Sequence, residues 1–328
     1  MNTRADDLER TRQFPAHLNG DSPIAANGDA LEWAILQSCA YADVFDYPLT
    51  LSEIHRYLVG IQASVKAISA RLTSAARLHR ELKARHDFWT LVGREHLVEV
   101  RRQRSLQSRQ LWPLARRYGR QIARLPFVRL VAVTGALAVD NLGDRPDIDY
   151  LVVTEPGRLW LCRSLVIALV RLAARQGVTL CPNYFLSTKA LYFPNGSLYT
   201  AHELVQMSPL SGLEVYARMR AQNQWTLQYL PNAISSPSPG FSVQSPSPPS
   251  LWKRLGENLI RTPPGGWLEV WEMKRKVRRF KGKSAGEGEA EFCADWCKGH
   301  FDGHARHTLQ EFQLRLDVLG VPLEYRLV

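Results

Sequence analysis

The chain of 328 residues carries 42 Lys and Arg against 31 Asp and Glu, a net charge of +11, with 45% hydrophobic and 22% charged residues. That composition excludes a wholly disordered or fibrous chain and is long enough for two or three domains with a sizeable core. The basic excess favours polyanionic partners, and five scattered cysteines, an odd number, point to reduced thiols in a cytoplasm rather than a disulfide framework.

The opening MNTRADDLERTRQF has no apolar core, so no signal peptide is expected, and residues 1–28 read as a disordered polar tail. From Leu31 the apolar positions Leu31, Ile35, Leu36 and Cys39 recur at helical spacing. Asp46-Tyr47-Pro48 interrupts them. Thr50-Leu51-Ser52-Glu53 then has the form of a capping box and predicts a short helix ended by Gly60. A third helix is predicted from Ser64 to Leu78, followed by two short runs, His79–Lys83 and Phe88–Val92, around a polar His86-Asp87 turn. Three helices and a hairpin over residues 29–93 have the order of a winged helix-turn-helix, whose third helix would present Lys66, Arg71 and Arg77 to DNA. The alternative is a small domain that only packs on its neighbour.

Residues 94–125 predict a long basic helix, with Arg101, Arg102, Arg104, Arg109, Arg116, Arg117, Arg120 and Arg124 on a solvated face or a phosphate-binding surface. Val128–Val133 and Asp147–Val153 read as strands, and Arg158–Arg175 as a helix. Its apolar run carries Arg163 and Arg171 and is too short and too charged to span a bilayer, so no membrane partner is expected. Val178–Cys181 and Asn183–Leu186 form an extended run split by Pro182, which predicts an edge strand or a bend. Strand, helix and strand with short loops give an α/β (α+β) core over residues 94–232. A helix over Leu213–Leu230 completes it, before a Ser/Pro-rich linker at 233–250.

A helical C-terminal region, 251–328, carries the basic run Lys274–Lys283, a grip for polyphosphate or RNA or simply a solvated segment. Cys293, Cys297, His300, His304 and His307 follow a helical rhythm. They are spread too far along one face to close a tetrahedral zinc site, so a packed helix face is expected.

The stretch VAVTGALAVDNLGDRPDIDYLVV, Val131 to Val153, is the most informative. Residues i and i+2 of a strand share a face, so Asp147 and Asp149 would stand side by side. Two such carboxylates repel unless a cation lies between them. A Thr134-Gly135 turn precedes them, and Asp140 and Asp144 lie in the connection.

Strand, glycine turn and Asp-Ile-Asp on the next strand resemble the DNA polymerase β-type nucleotidyltransferase superfamily. FDYPLT, GRLWLCR and LCPNYFLS resemble bacterial nucleotidyltransferase-domain proteins with an N-terminal winged helix, over about Tyr41 to Asn232, and CKGHF fits more loosely. The resemblance implies a nucleotidyltransferase-fold core with an N-terminal winged helix-turn-helix and a C-terminal helical region. It implies Asp147 and Asp149 as catalytic ligands of Mg²⁺, two ions in the full mechanism, with Mn²⁺ as substitute. It also implies Thr134, Gly135 and Ala136 as the turn that holds a nucleoside triphosphate. Ala136 stands where the family commonly has serine. Asn183 stands where a third carboxylate is expected, and is assigned to nucleotide binding. Two functions are therefore expected as alternatives: Mg-dependent nucleotidyl transfer from a nucleoside triphosphate to an acceptor, or a catalytically degenerate fold that binds nucleotide or nucleic acid in a regulatory role.

Overall fold

A computed structural model describes residues 28–143, 146–194, 196–234, 251–281, 293–298 and 301–327. The expected tail, the linker from residue 235, Asp144 and His300 lie outside the described residues. The molecule is mixed α/β with two open sheets.

The N-terminal unit runs α1 (Gly28–Asp43), β1 (Leu49–Thr50), α2 (Leu51–Arg56), α3 (Val65–Ser74), α4 (Ala76–Glu81), β2 (Leu82–Arg85) and β3 (Phe88–Leu91), its strands antiparallel in the order β1-β3-β2. The capping box forms as read: the Glu53 N–H donates to the Thr50 hydroxyl at 3.3 Å, and the Thr50 N–H donates to the Glu53 carboxylate at 2.9 Å. The third predicted helix is two, because Ala75 takes extended backbone and separates α3 from α4. Ile35, Leu36, Ile54, Leu58, Ile68 and Leu78 are fully buried and make this unit's core.

The larger sheet begins after α5 (Leu97–Ala123) with β4 (Val128–Val133), α6 (Gly135–Ala138), β5 (Ile148–Thr154), α7 (Leu159–Ala174) and β6 (Leu180–Ser187). It continues through α8 (Leu198–Gln206), β7 (Ser208–Ser211), α9 (Leu213–Gln222) and α10 (Thr226–Tyr229). Then come α11 (Leu251–Ile260), α12 (Pro263–Lys281), β8 (Trp296–Lys298) and α13 (Phe301–Val318). The strand order is β7-β4-β5-β6-β8, parallel only between β5 and β6. Along β4 and β5 alternate residues serve opposite faces. Val131, Val133, Tyr150 and Val152 pack toward α5 and α7, while Leu130, Ala132, Leu151 and Val153 pack toward Leu204, Tyr216 and Met219 of α8 and α9. The uninterrupted apolar run of β5 follows from this burial on both faces.

Four expectations change. Pro182 does not mark an edge: β6 is continuous, with β5 on one side and β8 on the other, and it absorbs the proline as a register shift between Tyr150 and Leu151. Cys293 and Cys297 are not on the helix of His304 and His307, because Cys297 belongs to β8 and α13 starts at Phe301. The C-terminal region is thus helical with one strand built into the larger sheet. Leu213–Leu230 is α9 and α10 rather than one helix, with the buried Asn223 ending α9 by bonding to Leu191 and Met219 carbonyls.

The fourth change concerns the basic helix. Arg102, Arg109, Arg116, Arg117, Arg120 and Arg124 are exposed, but Arg101 is buried against the N-terminal unit. Its guanidinium lies 3.6 Å from the Tyr47 ring centroid and donates to Glu53 at 2.7 Å and to the Pro48 carbonyl. Tyr47 in turn donates to the Val139 carbonyl at 2.9 Å, and the Asn141 amide donates to the Phe45 carbonyl at 3.0 Å. FDYPLT is therefore the joint between the N-terminal unit and the loop after α6. A third cluster, with Tyr41, Tyr57, Leu198, Ala201, Val205, Phe312 and Leu316, welds α1, α8 and α13 together. No helix among the described residues is long and apolar enough to cross a membrane.

Candidate functional site

The chain leaves β4 at Val133, and the Thr134 N–H continues the ladder by donating to the Asp149 carbonyl at 3.1 Å. Gly135 then turns with φ +65°, and α6 makes a single helical turn. The glycine is required twice over. Its φ lies in the left-handed region, and a Cβ there would sit 2.5 Å from Asp149 Oδ2. The turn and the carboxylate are pressed against each other.

Asp147 stands just before β5 and Asp149 at its second residue. One carboxylate oxygen of each, with Cys181 Sγ, lie within 4.8 Å of one another. Cys181 is there because β5 and β6 pair in parallel with Asp149 opposite Cys181. Burial first, then the charges of Asp149 and Asp147, push its thiol up, which keeps it a neutral thiol. The register shift leaves Asn183 without a partner on β5, and its amide nitrogen donates to Asp149 Oδ1 at 2.5 Å. Asn183 thus reaches the site as a donor to the carboxylate.

Electrostatically the pair is unrelieved. Among the described residues neither Asp147 nor Asp149 forms an ion pair. Burial, and next the charge of Asp147, raise the Asp149 carboxyl to about 7 against the opposing hydrogen bond from Asn183. Asp140 is occupied elsewhere, accepting from the Trp112 indole at 2.8 Å with φ +54°, so it holds the loop rather than joining the pair.

The sequence reading missed α8. Its residues LYTAHELVQ begin after the Ser197 cap, which accepts from the Thr200 N–H at 3.2 Å. Leu204 faces one core cluster, and Leu198, Ala201 and Val205 face another. His202 and Glu203 lie on this doubly packed helix and line a cavity of about 370 Å³ with Gly135 and Ala136. Burial, and then the charge of Asp149, raise the Glu203 carboxyl to about 7. Burial lowers His202 to about 4, so its ring is neutral. It stacks on Tyr41 at 4.0 Å between centroids, and its Nδ1 bonds the Leu198 carbonyl at 2.9 Å. The available signal was a polar His-Glu pair inside an otherwise apolar, capped helical pattern.

No protein-family model, curated protein or solved structure matches the chain.

Proposed function

We propose that the protein is a Mg²⁺-dependent nucleotidyltransferase of the polymerase β type, with a winged helix-turn-helix unit at its N-terminus. The observation that carries this reading is the contact between the left-handed Gly135 turn and the Asp147–Asp149 pair. A turn that bares its backbone is held 2.5 Å, counted from a notional Cβ, from a carboxylate that has no cationic partner among the described residues.

The donor set fits a hard divalent cation. Two carboxylates offer oxygen ligands, their mutual repulsion falls when a cation lies between them, and a hard ion such as Mg²⁺ prefers those oxygens to the Cys181 sulfur beside them. Asp147 and Asp149 would hold the ion, which supplies charge neutralisation and orientation of the phosphates when bound. Gly135 and Ala136 would orient the triphosphate through backbone N–H groups, while Thr134, whose N–H is bonded to the Asp149 carbonyl, holds the turn to β5. Asn183 fixes the Asp149 carboxylate by its 2.5 Å bond, leaving the other oxygen facing the turn. The acceptor hydroxyl attacks the α-phosphorus, pyrophosphate leaves, and the hydroxyl proton passes to solvent or a neighbouring carboxylate.

Two features favour the second reading, binding without turnover: Ala136 offers no hydroxyl, and Asn183 adds no negative charge. The winged-helix unit is read as a wall of the site rather than a DNA reader. Of its third-helix arginines and their neighbour, Arg71 and Arg77 both pair with Glu32, and Arg77 stacks 4.2 Å over Trp33. Purified protein with Mg²⁺ and labelled nucleoside triphosphates is expected to release pyrophosphate. Metal-dependent triphosphate binding without release supports the degenerate reading, and the absence of both removes the assignment.

A further inference from the structure

The cavity beside the glycine turn has a chemistry of its own. Its walls come from α1 and the joint after it, Tyr57 at the end of α2, the Gly135-Ala136 turn with the loop behind it, α8, and His304 of α13. Tyr41, Phe45, Tyr57 and Tyr199 supply aromatic rings, and His202, Glu203 and Gln206 supply polar groups from α8. No lysine or arginine is among the described lining residues. The protein is strongly basic as a whole, so a cavity whose formal charge is a carboxylate departs from its surroundings.

That lining discriminates among ligands. A triphosphate in the cavity would meet Glu203 with no lysine or arginine in the described lining to offset the repulsion, so its phosphates belong at the Asp147–Asp149 pair and its cation. An organic cation gains twice: aromatic faces attract it through their quadrupoles, and a carboxylate in a poorly hydrated recess pairs with it more strongly than in water. The volume of about 370 Å³ suits a small organic molecule rather than a polymer segment. Gly135 and Ala136 are part of its wall, so a ligand seated in it lies against the triphosphate turn.

We infer that this cavity binds the acceptor, and that the acceptor is a small hydroxyl-bearing organic amine whose ammonium group pairs with Glu203 among the tyrosine rings. The inference rests on the nucleotidyl-transfer reading for the word acceptor, while the amine site rests on the cavity alone. It also gives the N-terminal unit a role: Tyr41, Phe45 and Tyr57 belong to that unit, so the site is incomplete without it.

The test uses the full chain and three probes of one shape: phenethylamine, 2-phenylethanol and phenylacetate, titrated calorimetrically with and without Mg²⁺ and ATP. Phenethylamine is expected to bind about tenfold or more tighter than the alcohol, with phenylacetate weakest. Glu203→Gln should bring amine and alcohol to within about threefold, a loss of the charge pairing alone. Phe45 is 40% exposed, so Phe45→Lys tests the same charge preference where Glu203→Gln fails to fold; it should weaken the amine more than the alcohol and so narrow or reverse the preference. Equal binding of the three probes, or an amine preference that survives both substitutions, overturns the site. MgATP that binds normally while the amine shows no preference overturns this inference and leaves the proposed function standing. Amine binding that persists while MgATP never binds does the reverse for the function and removes the acceptor role. Direct competition between the amine and MgATP also removes it, because the cavity would then belong to the nucleotide.

Discussion

Two acidic regions of this molecule are built on opposite principles. Glu257 on α11 accepts from Arg129 at 2.7 Å and from the Phe127 N–H at 2.9 Å, while Arg129 reaches Glu155 on its other side. Burial works against the Glu257 charge, yet the bonds from Arg129 and Phe127 hold its carboxyl below the usual range. Asp149 is also largely buried, but its nearest charged neighbour is another carboxylate, and it is pushed up to about 7. A carboxylate answered by an arginine and a backbone N–H stabilises the fold. A carboxylate answered by a second carboxylate weakens it and is poised for a cation.

The largest expected difference is functional. Asp149→Ala should lower metal-dependent pyrophosphate release by about a thousandfold or more, because a metal ion contributes several kcal/mol at such a centre. Its melting temperature should hold or rise. A variant that loses activity only by unfolding would erase the contrast. Next, Glu257→Ala leaves Arg129 and the Phe127 N–H without their partner and should cost about 2–3 kcal/mol in urea unfolding, with MgATP affinity unchanged. Gly135→Ala sits between the two classes. It should cost about 1–2 kcal/mol from its left-handed backbone and weaken MgATP as well, since the new Cβ meets Asp149 Oδ2. Stability loss with full MgATP affinity would separate the turn from the site.

The smallest effect is a matter of sign. In the fold Asp149 holds its proton up to about 7, above the ordinary 3.8. Its contribution to stability is therefore complete below about pH 4 and is lost as pH rises toward 7. Asp149→Asn should then raise the melting temperature by about 2–4 °C at pH 8 and by nothing measurable near pH 4. Glu257 has the opposite sign: its carboxyl is lowered in the fold, so its contribution is present above the ordinary 4.5 and is lost as the medium turns acid. Parallel pH–melting profiles of Asp149→Asn and Glu257→Gln that slope the same way would contradict the comparison.

Much of this was legible locally. Thr50 and Glu53 announce a helix start because both partners of the capping box lie within one turn. The Gly135 turn and the Asp-Ile-Asp spacing announce a carboxylate pair because period-two geometry alone sets it. Other features were beyond local reading. Pro182 argued for an edge, yet β8, more than a hundred residues away, pairs with the strand beyond it. Arg101 resembled the five exposed arginines of its helix until Tyr47 and Glu53 were brought over it. The helical rhythm from Cys293 to His307 was a coincidence of spacing that strand pairing overrode.

The sequence by itself determined the capped starts of α2 and α3, the strands β4 and β5, and the pairing of Asp147 with Asp149 on one face, all governed by backbone periodicity over a few residues. Only the tertiary structure decided that Asn183 donates to Asp149, that Glu203 lines one cavity with the turn, and that tyrosines of the N-terminal unit line it too. Those placements depend on parallel pairing and on packing between elements distant in the chain. No periodicity within one element encodes which distant surface it will bury.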